Sequence, residues 1–344
     1  MRITRNGLTR KVVTGLRLVK ARVEDRIPFI RRAFPATVSA PEGAKSQDIW
    51  AQRHLDPNYW NSLIHWGQVP QVAAYINRRI SGDPTKDVFD YAAQQYLAPL
   101  RKNGPISMLS LCTGVGQIEI SLVQRGYVDQ IVGYEYSEEC VAAANQTVRD
   151  LGLADKISFF QADLNKSTFP PDQRFDAILN EAGLHHIQNL EHLMAQCRQV
   201  CKPHTVFINH EYIGPNHHQW TAKQLGYINH ILSILPPELR RSLTNPGAIH
   251  EKKAPLSKAK ILLIDPTEGV RSQDILQVMK ERFVISDYKP FGGSILHMLL
   301  NDMAGNFIAP EHATLVELLI FFEESLMDEG VLPPDFAFWV GTPK

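Results

Sequence analysis

The chain has 344 residues, 44% hydrophobic and 21% charged, with 36 basic and 36 acidic side chains for a formal net charge of zero. That is the composition of a globular protein able to bury a large core, in one large domain or two smaller ones. A balanced charge gives no support to a nucleic-acid partner, which needs many cationic contacts to phosphate. No apolar run approaches the ~18 residues of a membrane span, and the first residues lack the apolar stretch of an export signal. Cys112, Cys140, Cys197 and Cys201 form no CxxC pair and no zinc spacing, so they are expected to be small buried hydrophobes of a cytoplasmic protein.

Residues 1–46 read as a basic arm and linker. Residues 1–32 hold ten Lys or Arg against two acids, Glu24 and Asp25, a balance of +8 that leaves −8 on residues 33–344. Val12, Val13, Leu16, Val19 and Val23 recur at helical spacing. This predicts either a helix lying on an anionic membrane surface or a solvated arm packed on its own chain or on a partner subunit. Residues 47–100 read as a helical cap or lid. Trp50, Trp60, Trp66, Tyr59, Tyr75, Tyr91 and Tyr96 cluster there, and Asp83-Pro84 punctuates two helices.

Residues 101–212 alternate between apolar strands and amphipathic helices. The expected order is strand 106–112, helix 116–126, strand 130–135, helix 138–151, strands 157–161 and 175–180, helix 188–201 and strand 204–211. Such alternation predicts an α/β fold with a mostly parallel sheet and right-handed crossovers, its ligands outside the carboxyl ends of the strands. Residues 213–281 read as an insertion forming one wall of an acceptor pocket, with a helix over 219–235. Residues 282–344 are expected to supply the last strands, at 282–288 and 294–300, and a C-terminal helix over 311–329. The apolar face of that helix, with Leu315, Leu318, Leu319, Phe322 and Leu326, suits core packing or a homodimer contact.

The first strand ends in Thr113-Gly114-Val115-Gly116, and Glu135 stands 21 residues after Gly114 at the tip of the next strand. A glycine turn lets a ligand touch backbone, and an acid about 20 positions on suits the two hydroxyls of a ribose. Glu119 occupies the third position of the dinucleotide fingerprint where glycine is needed, and no GxxxxGK[ST] loop occurs. The turn resembles the first motif of class I S-adenosylmethionine-dependent methyltransferases. Gln161-Ala162-Asp163-Leu164 matches the place where that family sets an acid near adenine, and Phe175-Asp176-Ala177-Ile178 followed by Asn180–Ile187 is similar to its fourth motif and post-strand loop. The resemblance implies a seven-stranded Rossmann-like fold with S-adenosylmethionine held by Thr113, Gly114, Gly116, Glu135, Tyr136, Ala162, Asp163, Asn180 and Glu181. A second, looser likeness spans most of residues 47–340. It runs through Glu211–Pro215, Asp265–Ser272 and Gly292–His297, and links the chain to bacterial methyltransferases of polysaccharide and natural-product pathways.

Methyl transfer needs an aligned nucleophile and, for a hydroxyl, a proton acceptor, a role that histidine fills near neutral pH. The candidates are His185, beside His186 after the fourth strand, and His210, Glu211 and Tyr212 where the fifth strand emerges. Alternation puts His210 and Tyr212 on one face and Glu211 on the other. Glu211, Asp265 and Glu268 could gather a divalent ion, but their spacing does not demand it, and no metal is expected. Arg271 is expected to pair with Glu268. The reading is methyl transfer to a small or medium acceptor, preferably a hydroxyl of a sugar or glycan precursor. The alternatives are an amine, carbon or phenol of a specialised metabolite, an RNA methyltransferase and a non-catalytic partner protein. Asn180-Glu181-Ala182-Gly183 in place of an N/D-P-P-Y/F tetrad, with the zero net charge, argues against the RNA reading. An intact glycine turn with Glu135 argues against a non-catalytic one.

Overall fold

The computed structural model describes residue 55 and residues 64–344, so the basic arm over 1–32, Trp50, Tyr59 and Trp60 lie outside the described residues. The fold is a seven-stranded sheet in the order β3-β2-β1-β4-β5-β7-β6. β1 (Ser107–Leu111), β2 (Gln130–Glu135), β3 (Ile157–Gln161), β4 (Phe175–Glu181) and β5 (Cys201–Tyr212) run parallel. β6 (Phe283–Gly292) and β7 (Phe336–Pro343) close the sheet antiparallel, β7 lying between β5 and β6.

The central strands are apolar nearly throughout because both faces are covered, as parallel sheets require. Alternate residues feed opposite cores. Met108, Ala177, Leu179, Ile208, Phe338 and Val340 join one cluster. Leu109, Leu111, Ile178, Phe207, Ala337 and Trp339 join the other. The first face carries α1 (Pro70–Ser81), which packs on β6, and α2 (Val88–Ala92), whose cap Asp87 and Asp90 both reach Arg125.

Crossover helices α3 (Gln117–Gln124), α4 (Glu138–Asp150) and α5 (Leu190–Gln199) follow β1, β2 and β4. Ser137 caps α4 by accepting the Cys140 amide at 3.2 Å. After β5 come α6 (Ala222–Ile234), α7 (Lys258–Ile264) and α8 (Ile275–Arg282), the last packed beside α5. Among the described residues no helix is long and apolar enough to cross a membrane.

One expected strand is corrected. Residues 294–300 form no strand; α9 (Leu296–Leu300) stands there. Gly292 and Gly293, at φ 109° and 84°, turn the chain out of β6. The buried Glu323 carboxylate of α10 (Ala313–Asp328) then accepts the amides of Gly293, Ile295 and Leu296 at 2.9, 2.6 and 2.8 Å. A tertiary carboxylate thus caps the turn into α9, and the seventh strand is the terminal Phe336–Pro343.

Candidate active site

The strand order reverses between β1 and β4, and the ligand crevice of an open α/β sheet lies at the carboxyl edge of such a point. The turn after β1 occupies it. Gly114 and Gly116 are left-handed at φ 53° and 75°, and Gly116 begins α3. A Cβ on Gly116 would lie 2.4 Å from the Phe159 ring, so this backbone and the β3 ring are in close contact. Glu135 is buried; its Oε2 accepts the Gly114 amide at 2.8 Å and its Oε1 the Ser137 amide at 2.9 Å. Burial raises its proton affinity, and these amide bonds oppose the rise. Among the described residues the Thr113 hydroxyl is buried without a hydrogen-bond partner.

Across the crevice, the Ala162 amide donates to the Glu135 carbonyl at 2.8 Å. Asp163 Oδ1 accepts the Asn165 amide at 3.0 Å. Tyr136 is half-buried, and its carbonyl accepts Gln161 Nε2 at 3.3 Å. Asn180 is fully buried and braces the loop after β4: its Oδ1 accepts the Gly183 and Leu184 amides at 3.2 and 3.0 Å, and its Nδ2 donates to Glu211 at 3.2 Å.

Two imidazole–carboxylate pairs stand at the same edge. Glu181 and His210 are register partners at the ends of β4 and β5. His210 Nδ1 meets Glu181 Oε2 at 2.9 Å, and its ring stacks on Phe291 at 4.7 Å. Among the described residues His210 Nε2 is buried with no hydrogen-bond partner. Burial alone would lower the His210 pKa, but the Glu181 carboxylate outweighs it and the net shift is upward.

His185, in the turn after β4, faces a carboxylate at each ring nitrogen. Its Nδ1 meets Glu211 Oε1 at 2.6 Å and its Nε2 faces Glu268 Oε1 at 3.6 Å. Against the desolvation of burial, the Glu211, Glu268 and Asp265 carboxylates lift His185 to about 9. His186, 4.1 Å away ring to ring, falls to about 4 through burial and the charge on His185.

Tyr212 shares the His210 face but turns its hydroxyl to the Pro215 carbonyl at 2.9 Å, and burial raises its pKa further. That phenol is a poor proton acceptor. Its ring joins an aromatic cluster with Phe336 and His297, at 5.2 and 6.0 Å, extended by Trp66, His218 and Trp220. Trp66 Nε1, His218 Nδ1 and His297 Nδ1 are buried there without hydrogen-bond partners among the described residues.

The insertion therefore brings His218 and Trp220 to the site. Arg271 corrects an expectation: it pairs with Glu191 and Asp274 at 2.8 Å, not with Glu268. Glu268 instead accepts from His218 Nε2 at 2.8 Å. The roles of His218, Phe291, Phe336 and His297 were not read from the chain. The only advance signal was the density of histidine after β5 and the Gly-Gly before His297.

A buried acid at the tip of β2, a bare glycine turn and a reversal of strand order mark a Rossmann-like domain of the class I methyltransferase kind. Residues 108–204 match the protein family described as Methyltransferase domain, and this segment is a class I S-adenosylmethionine-dependent methyltransferase domain. The demethylmenaquinone methyltransferase of Leptospira interrogans is 25% identical over 107 residues, 31% of this chain and 43% of that one. The demethylmenaquinone methyltransferase of Bacteroides fragilis is 29% identical over 110 residues, 32% of this chain and 43% of that one. The chain thus spans less than half the length of these curated relatives. A solved S-adenosylmethionine-dependent methyltransferase from Mesorhizobium loti is 17% identical with a TM-score of 0.41, covering 74% of this chain and 96% of that one.

Proposed function

We propose that this protein transfers a methyl group from S-adenosylmethionine to a hydroxyl of a small acceptor, preferably a sugar or glycan precursor, with His210 taking the hydroxyl proton. The observation that carries the proton step is the buried Nε2, unpartnered among the described residues, of an imidazole whose Nδ1 is held by Glu181 at 2.9 Å. A carboxylate can only accept there, so Nδ1 carries the hydrogen and the lone pair of the neutral ring lies at Nε2. The upward shift of His210 strengthens its hold on the proton it takes.

S-Adenosylmethionine, when bound, supplies an activated methyl on a positively charged sulfur. The residues that would hold it are Thr113, Gly114 and Gly116 at the turn, Glu135 at the ribose, Tyr136, Ala162 and Asp163 toward the adenine, and Asn180 and Glu181 at the mouth. The fit rests on the left-handed glycines, the buried Glu135 and the orphaned Thr113 hydroxyl. Asn180 acts by holding the β4 loop in place. The aromatic rings and buried ring nitrogens around Tyr212 suit an acceptor that offers both a flat face and hydroxyls.

The same rings, with quinone methyltransferases among the relatives, favour a second reading in which a planar ring is methylated on carbon or phenolic oxygen. The test is release of S-adenosylhomocysteine with nucleotide sugars and with hydroquinones, the methylated atom being assigned by NMR. An O-methyl sugar supports the first reading, and a methylated ring the second. Failure of S-adenosylhomocysteine to bind in calorimetry overturns both.

A further inference from the structure

We propose that His185, His186 and Glu268 form a binding site for a first-row divalent transition ion, with Zn2+ as the type case. This inference stands apart from the methyl-transfer reading. The three residues come from two loops far apart in the chain, and one ligand atom from each lies within 4.8 Å of the others. Two imidazoles with one carboxylate favour zinc, iron, cobalt or manganese over magnesium or calcium, which prefer oxygen alone.

The surrounding bonds orient both rings as a metal site requires. His185 gives its Nδ1 hydrogen to Glu211 at 2.6 Å, so displacement of the Nε2 proton by a metal ion would leave that nitrogen's lone pair toward Glu268 Oε1, at 3.6 Å. The ion would take the place of that proton between ring and carboxylate, with Glu268 Oε1 still held by His218 Nε2 at 2.8 Å. The Thr267 hydroxyl spends its single hydrogen on Asp265 Oδ1 at 2.6 Å, so it accepts from His186 Nδ1 at 3.0 Å. The His186 lone pair is then at Nε2. Asp265 is 2% exposed, and among the described residues its second oxygen is buried beside the site without a hydrogen-bond partner.

The two loops are fastened together. The Val270 amide donates to the His185 carbonyl at 3.0 Å, and the His217 amide ties the Glu268 loop to the chain after β5 through the Gly269 carbonyl at 2.7 Å. Zinc bonds of about 2.1 Å place ligand atoms about 3.4 Å apart, so filling the site draws the Glu268 side chain inward. Three protein ligands leave open positions for water or an acceptor oxygen.

The test uses the full chain stripped with chelator and dialysed into buffer without S-adenosylmethionine. Titration with Zn2+ in a calorimeter should give one equivalent per chain, and Co2+ should give a visible absorption band of a nitrogen-ligated ion. Zn2+ should raise the melting temperature. Glu268→Gln and His186→Gln should each weaken Zn2+ tenfold or more and shift the Co2+ band, while circular dichroism of the metal-free variants matches wild type. If one variant misfolds, the other carries the comparison, and the wild-type stoichiometry and spectrum still decide. No stoichiometric binding to wild type, or Co2+ spectra of folded variants unchanged, would overturn the site in favour of a protonated His185 clamped between two glutamates.

Discussion

The Glu135 carboxylate meets the Gly114 amide at 2.8 Å across 21 residues of chain, tying the tip of β2 to the turn after β1. The same side chain that would take a ribose diol therefore also fixes the turn that would approach the nucleoside. Glu135→Ala removes a charge-assisted acceptor, worth roughly 1.5–3 kcal/mol. The dissociation constant for S-adenosylhomocysteine should rise at least tenfold in calorimetry. Because the turn loses its anchor, Glu135→Gln should recover only part of that loss. Wild-type affinity in both variants would remove Glu135 from the nucleoside site.

Gly116 and Gly126 separate two costs that glycine avoids. Both are left-handed, at φ 75° and 72°. A Cβ at Gly126 meets nothing within 4 Å, whereas at Gly116 it lies 2.4 Å from the Phe159 ring. Gly126→Ala should cost about 1 kcal/mol, the conformational term alone. Gly116→Ala should cost about 1–3 kcal/mol more, from overpacking. It should also weaken S-adenosylhomocysteine binding, which Gly126→Ala should not. Equal denaturation midpoints for the two variants would refute the close approach.

The Glu181–His210 pair separates binding from turnover. His210→Asn should lower kcat by about 10²-fold or more, since it deletes the proton acceptor. Glu181→Gln should lower kcat less and move the pH–rate midpoint downward, because the raised His210 pKa depends first on that carboxylate once burial is overcome. S-Adenosylhomocysteine affinity should hold in His210→Asn. Unchanged turnover with an identified acceptor would leave His210 as a packing residue against Phe291.

The first five strands were legible because each is an apolar run bounded by turn residues, and β2 and β3 end where the pattern ends. The sixth was legible too, expected at 282–288 and found at Phe283–Gly292, but the seventh was not. Ser294–Leu300 is apolar enough for a strand or a buried helix, and what decides is Glu323, a side chain of a distant helix that caps its first amides. β7 was missed for the opposite reason: its pairing with β5 and β6 spans more than 100 and about 50 residues, beyond local pattern. The glycine turn and Glu135 could be read because their roles follow from backbone and spacing. The sharing of Glu211 by Asn180 and His185, and the turn of Glu268 toward histidines instead of Arg271, are tertiary facts with no local signature.

Asp335 should make stability fall with rising pH. It is fully buried beside β7, accepts Trp220 Nε1 at 3.0 Å and Gln224 Nε2 at 3.2 Å, and its pKa rises from 3.8 to about 8, first through burial and then through the nearby Glu323. The folded chain therefore holds a proton that the unfolded chain has released between about pH 4 and pH 8. Its stabilising contribution is complete below the lower value and is lost as pH climbs through the upper one. Asp335→Asn keeps an oxygen for Trp220 and Gln224 but no longer titrates. The melting temperature of the variant relative to wild type should rise steadily from pH 5 to pH 8 and level off above it. Parallel curves across that range would mean that Asp335 is ionised in the fold, with its two donors enough to hold the charge.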